Sequence, residues 1–545
     1  MYIIYTLRKI LYILIIFNFA LSKNFIYNED TWYSITSPEE ITSISYNRNQ
    51  VLFASENGLF VYDKISQDFY YSDYLLNNVE DKDIFIIHYD LYRDNYWMMN
   101  REELMFKSKL STVWLKIRFD SLDLFSYKNV YNIGSSSDYI VIQTSNNRFL
   151  FLNPFTGRVE NDILNEDVDF QLASVNWSSS YNSDFNNNIN LMNYYMFDNW
   201  QITRYNEFEK NGKVVEVTCF LDEPNEYKWF GTDSGKIFFT APYSNEIEEF
   251  KSIPPISNIN IAYLDDNGGW WIADKDWIYN YSDILYNQEM VFLSYWDEKN
   301  NIWTKYYQDK YPQVMVKDIN DLYRMNNTLY IATNSGLLIY DIALDKWNLL
   351  NVGDGLINDI ILDIEYHEDV LYLATQGGLM TVSTLINKPV SSYFTKLIDK
   401  SIIDIDILGD DLYLLTDIGL LKMNTDTEEY DIVSKRKFKD IEIVDDRIFL
   451  SKNNAIYLWA DNKLNFLFQY DKIKNFDVCN NYIWAHNKNS AMIYDMNTGN
   501  KLKYDKTDGI ISEKINDIEC DESWVWFSTD NGLSFYNWDK YHYEK

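Results

Sequence analysis

YIATNSGLLIY (330–340), YLATQGGLMTV (372–382), YLLTDIGLLKM (413–423) and WFSTDNGLSFY (526–536) are one segment written four times. Each has an alternating apolar run, a short polar break ending in Gly, and a second alternating run. Period-2 alternation marks strands, and Gly admits the positive φ of a tight turn, so each copy reads as strand, turn and strand. LFASENGLFVY (52–62) and WFGTDSGKIFF (229–239) repeat the pattern in the first half. Weaker copies follow the same beat: FLSKNNAIYLW (449–459) with Ala455 at the Gly position, and IWAHNKNSAMIY (483–494) with one extra residue. WIADKDWIYNY (271–281), WMMNREELMF (97–106) and VIQTSNNRFLF (141–151) are degenerate but occupy the expected places.

Spacing decides what the copies build. Gly336, Gly378, Gly419, Ala455, Ser490 and Gly532 lie 42, 41, 36, 35 and 42 residues apart, and Gly58, Glu103 and Arg148 lie 45 apart. The 87 residues from Arg148 to Gly235 leave room for one further unit that includes 193–208. A period near 40 residues with four short strands per unit predicts an all-β chain of β-propeller blades. About twelve units exceed the four to eight of one ring, so two tandem propellers of four-stranded antiparallel blades are expected. The break at Pro254–Pro255 divides them into 23–255, with five or six blades, and 256–545, with about seven. DTWYSI (30–35) reads as a closing strand lent to another blade, a device that removes a free sheet edge. Which ring it closes is open at this level.

The composition sets limits on function. Among 545 residues, 82 acidic against 48 basic side chains give a net charge of −34, which argues against nucleic-acid binding, a task for clustered Lys and Arg. Residues 1–22 place Arg8 and Lys9 before an apolar run, with Ala20 and Ser22 at the small-residue positions of a cleavage site. That is the layout of a secretory signal peptide, too short for a span of about 20 residues. A secreted or periplasmic location in a bacterial envelope is therefore expected, with no membrane span in the mature chain.

The units DGLINDIILDIEYHEDVLYLATQGGL (354–379) and DGIISEKINDIECDESWVWFSTDNGL (508–533) resemble the two-component-regulator propeller repeat. The resemblance covers most of 30–545. It implies a periplasmic sensor propeller, a kind thought to recognise carbohydrates. The chain is also similar to the N-terminal propeller region of PorZ-like surface components of type IX secretion, which carry a further C-terminal β-domain. Since the sequence ends at Lys545 without a span or kinase, a complete sensor kinase is not expected.

Two sets of candidate site residues emerge. Repeat alignment puts Asp321, Asp363, Asp404, Asp440, Asn475 and Asp517 at equivalent inner-strand positions, with Asn260 a looser match. Ring symmetry gathers them at one axis, where they form either an acidic collar for a cation or basic segment, or a set of acceptors for neighbouring backbone N–H groups. Trp270, Trp271 and Trp277, with Tyr279 and Tyr281, flank an insertion at Asn280–Glu289 and either stack on a ligand or pack between blades. The segment 174–208, with Trp177, Tyr181, Tyr194, Tyr195 and Trp200, is a second aromatic candidate.

Catalysis finds no constellation. His88, His367, His486 and His542 are dispersed, and the HED at 367–369 falls in a hairpin turn. Asp pairs at 265–266, 410–411 and 445–446 sit in equivalent turns, where Asp serves local hydrogen bonding. No cofactor or metal is expected, and the chain reads as a non-enzymatic recognition module for a glycan, peptide or envelope protein. The alternative is a structural part of a secretion or surface assembly. Cys479 and Cys520 fall near equivalent sites on adjacent inner strands, a separation expected to be too wide for a disulfide.

Overall fold

The structure is a computed structural model that describes residues 31–541, apart from 146–147, 161–171, 181–190, 205, 257, 275–290, 308–315, 317, 391–396, 398–399 and 428. It is an all-β chain of two tandem β-propellers. Seven four-stranded antiparallel sheets form the second ring, opening with the inner strands Ile259–Leu264, Ile319–Met325, Ile361–His367, Ile402–Leu408, Asp440–Val444, Asn475–Cys479 and Ile515–Cys520. Each inner strand lies beside the next, and the last lies beside the first.

The repeated motif has a physical cause. In Thr333-x-x-Gly336, Thr375-x-x-Gly378, Thr416-x-x-Gly419 and Thr529-x-x-Gly532, the Thr hydroxyl donates to the Gly carbonyl at 2.6–2.8 Å and clasps the hairpin. The Gly then starts the third strand with positive φ under the backbone of the fourth. A Cβ on Gly336 would stand 2.1 Å from the Leu350 carbonyl oxygen, so no side chain fits there. At Gly532 (φ 109°) the same clash, at 2.2 Å, would be with Ile35. Ile35 is five hundred residues away in sequence because Trp32–Ile35 is the fourth strand of the seventh blade, pairing antiparallel with Gly532–Asn537 from Trp32↔Tyr536 to Ile35↔Leu533. The N-terminal strand therefore closes the second ring. Trp32 is 1% exposed and stacks on Tyr536 (4.6 Å) and Phe527 (5.8 Å).

The first ring is thus inserted between the closing strand and the blades it closes. Its entry and exit run together: the Ser37 N–H donates to the Ile256 carbonyl at 2.8 Å, and the Ser37 hydroxyl bonds the Pro254 carbonyl. Its sheets begin at Ile41–Tyr46, Ile86–Asp90 and Val130–Ser135, and a seven-stranded sheet completes it. That last sheet bends within the long strand Lys213–Asp222, where the register shifts between Val217 and Cys219. Trp200 and Phe208 on one arm then pack against Phe238 on the other at 5.0 and 4.8 Å. The stretch expected to hold a weakly marked unit, 193–208, supplies the outer strands of this sheet. The first ring thus has four sheets among the described residues where five or six blades are expected from the sequence, because the weakly marked unit joins the last sheet. Eleven sheets stand for about twelve units. No helix among them is long and apolar enough to cross a membrane.

One sequence expectation is corrected. Cys479 and Cys520 form a disulfide, their Cα atoms 6.2 Å apart. Inner strands converge toward the axis, which brings neighbouring blades within the roughly 7 Å that a disulfide requires.

Candidate functional site

The innermost strands carry a recurring β-bulge. In the second ring the pairing register slips between Ile259 and Ile261, Ile319 and Asp321, Ile361 and Asp363, Ile402 and Asp404, and Ile515 and Asp517. A bulge re-aims the side chain that follows it. Here it delivers Asp321, Asp363, Asp404 and Asp517 to the axis, with Asp440 and Asn475 at the matching places of two unbulged strands. The collar residues read from the sequence are thus brought together around one channel of about 690 Å³. The first blade departs from the pattern. Ile261 holds its collar position, and Asn260 falls one residue earlier, at the place equivalent to Asn320.

The geometry displays the second of these roles, acceptance of neighbouring backbone N–H groups. Asp321 accepts from the Ile364 N–H (3.0 Å), Asp363 from Ile405 (2.8 Å), Asp404 from Ile441 (2.8 Å) and Asp440 from Phe476 (3.3 Å). Each carboxylate therefore ties its own blade to the next. Asn475 continues the chain by donating to Asp517 at 2.8 Å. A second belt stands one residue before the collar: Asn260, Asn320, Lys439, Lys474 and Asn516 each donate to a carbonyl of the following blade, and Asn516 crosses the closure to Ile259 at 2.7 Å.

A tier two residues beyond the collar was not singled out from the sequence. Glu365, Asp406, Glu442, Asp477 and Glu519 line the same channel, which makes ten carboxylates against the two ammonium groups of Lys439 and Lys474. Period-2 alternation along each inner strand was the signal that could have found them. Burial, with the charge of neighbouring carboxylates, holds Asp321, Asp404, Glu365, Glu442 and Glu519 well above the usual carboxylate range. Burial is likewise the main cause that lifts Asp406 and Asp440 to about 7 and Asp477 to about 6. Near neutral pH the channel therefore holds protons.

The first ring solves its axis differently. Its bulged positions are the neutral Ser43, Asn132 and Cys219. The segment Asn176–Ser180 pairs with the inner strands at Gly134–Ser135 and Ser43–Ile44, and Ser179 accepts the Phe220 N–H at 2.8 Å. A segment touching three inner strands lies on the axis and fills it. One ring is plugged; the other is open and acidic.

The aromatic candidates fare differently from the collar. Trp270 and Trp271 are 4% and 1% exposed. Trp270 packs edge-on against Trp526 at 4.9 Å, and the Trp271 indole N–H donates to Asp265 at 3.0 Å, so both serve blade packing. Trp277, Tyr279, Tyr281 and the insertion Asn280–Glu289 lie outside the described residues, as does Tyr181. Trp200 is buried in the bent sheet, and Trp177 belongs to the axial segment. His367 ends its inner strand 3.6 Å from Asp410, which lies in a hairpin turn, and Glu368 and Asp369 form the turn that follows it at positive φ. His88 and His486 are wholly buried, and burial pushes both down to about 3, so they stay neutral.

The fold and channel define a tandem-propeller protein. No protein-family model matches the chain, and no curated protein matches it. Among solved structures it is similar to the extracellular domain of the putative hybrid two-component system BT4673 from B. thetaiotaomicron, at 14% identity, covering 91% of this chain and 70% of that one with a TM-score of 0.42. It is also similar to PorZ, described as an essential bacterial surface component of the type-IX secretion system of Porphyromonas gingivalis. There the identity is 11%, the coverage 93% of this chain and 87% of that one, and the TM-score 0.49. These neighbours are of the two kinds whose repeat the sequence resembles, and the likeness is one of fold.

Proposed function

We propose that this chain is an exported, non-enzymatic recognition module whose second ring meets its partner at the mouth of the acidic channel. The partner class is a glycan, a peptide or an envelope protein. The observation that carries this reading is the contrast between axes: the first is filled by chain, the second left open with ten carboxylates. A low-dielectric funnel of one sign concentrates ligands of the other, here a cation or a basic segment. The leader-like residues 1–22 and the Cys479–Cys520 disulfide agree with an oxidising compartment outside the cytoplasm.

A second reading, a structural part of a surface or type IX secretion assembly, draws on the stitching: the collar carboxylates already accept N–H bonds between blades. The two readings part in one experiment. The full mature chain is titrated with an oligolysine peptide and a panel of neutral oligosaccharides, and used as bait in an envelope extract. A recognition module binds one of the two ligand classes, and a Glu365→Gln, Glu442→Gln variant of equal stability loses the oligolysine. Retrieval of envelope proteins with no response to any soluble ligand would replace the first reading by the second.

A further inference from the structure

A cleft of about 390 Å³ lies between the two rings and shares no lining residue with the axial channel. One wall is the end of the first ring's opening blade, from Asp68 to Tyr74; the other combines the closing strand with outer strands of the second ring's first blade. Asp68 and Asn301 span it, the amide donating to the carboxylate at 3.3 Å. Such seams between domains are common places for small-ligand sites, and the volume is within the usual range.

The lining is aromatic and carries one sign of charge. Tyr33, Tyr70, Tyr74, Trp296 and Trp303 contribute rings, and Tyr70 is 40% exposed. Among the described residues no Lys, Arg or His lines the cleft, whereas Asp68 and Asp73 both do. Asp73 is only 9% exposed, and its burial raises it to about 6 despite the attraction of Lys82. The Tyr71 hydroxyl, on the same lining, is buried without a hydrogen-bond partner among the described residues.

We infer that this cleft binds an organic cation, an ammonium or quaternary ammonium group seated on the Tyr and Trp rings with Asp68 and Asp73 as counter-charges. Ring faces are electron-rich and attract a cation held over them, more strongly once it is desolvated. An anion would meet two carboxylates and, among the described lining residues, no cationic side chain. A purely apolar ligand would strip water from the Asp68 and Asp73 carboxylates and offer them no charge in return, which is costly. Because the walls belong to different rings, the ligand would also clamp their mutual position.

The test titrates the full mature chain by tryptophan fluorescence and thermal melting with four probes: choline, Nα-acetyl-lysine amide, glucose and acetate. Choline or the lysine amide is expected to saturate a single site and raise the midpoint, more strongly at pH 8 than at pH 5 as Asp73 ionises. Choline binding would point to a small free ligand, and lysine amide binding to a side chain of a protein partner. Tyr70→Ala and Asp68→Asn, both on the rim, should each weaken binding at least tenfold, whereas Tyr70→Phe should retain it. The inference falls if neither cation binds, if glucose or acetate binds as tightly, or if Tyr70→Ala and Asp68→Asn leave the affinity unchanged.

Discussion

Lowering the pH from 8 to 6.5 is expected to stabilise the second ring, the reverse of what surface carboxylates in ion pairs would do. Asp406 and Asp440 are lifted to about 7 in the folded chain, against 3.8 for the free side chain. The folded state therefore binds more protons than the unfolded one between those values. The resulting stability is present at low pH and is lost as the pH rises through the folded pKa. For one group at 7, moving from pH 8 to 6.5 is worth about 0.8 kcal/mol, so the pair contributes about 1.5 kcal/mol. Asp321, Asp404, Glu365, Glu442 and Glu519 are raised in the same direction and add to the gain.

The histidines oppose this below pH 6.5. His88 and His486, held near 3, favour the neutral form when folded, so their stability is lost as the pH falls below 6.5. Each costs about 0.4 kcal/mol at pH 6.5 but about 2 kcal/mol at pH 5. The melting midpoint should thus rise steeply from pH 8 to about 6.5 and then level off toward pH 5, where the histidine loss nearly offsets the continuing gain of the carboxylate pair. Scanning calorimetry at fixed ionic strength reads this directly, and an Asp406→Asn, Asp440→Asn variant should flatten the alkaline limb. A midpoint that falls steadily from pH 8 to 6.5 would refute the assignment of a desolvated, proton-holding channel.

Trp32→Ala, which empties the centre of the closing strand's aromatic stack, should cost about 3–5 kcal/mol in denaturant unfolding, with the loss confined to the second ring. Replacing Cys479 and Cys520 by Ser opens a loop of 41 residues and should cost about 4 kcal/mol, checked by comparing oxidised and reduced melts. Lys107 is 2% exposed between the rings of Tyr74 (4.4 Å) and Trp114 (4.9 Å), makes no ion pair among the described residues, and burial lowers it to about 8. Lys107→Met should therefore raise stability at pH 7 by about 1–3 kcal/mol, and the gain should shrink above pH 8 as the wild-type amine loses its proton.

Local pattern alone determined the repeat, the strands and the alignment that put Asp321, Asp363, Asp404, Asp440, Asn475 and Asp517 at one height. These depend on period-2 alternation and on a Gly that must sit beneath a crossing strand, both of which are written within about forty residues. The ring closed by Trp32–Ile35 was not legible, because a strand pairs with any edge of the right register and nothing local names an edge five hundred residues away. The Cys479–Cys520 bond was misjudged for a related reason: distance between blades depends on how near the axis a residue lies. The filling of one axis by Asn176–Ser180 and the openness of the other also depend on chain path. So does the meeting of Asp68 with Asn301, since a seam between two rings exists only once both have closed.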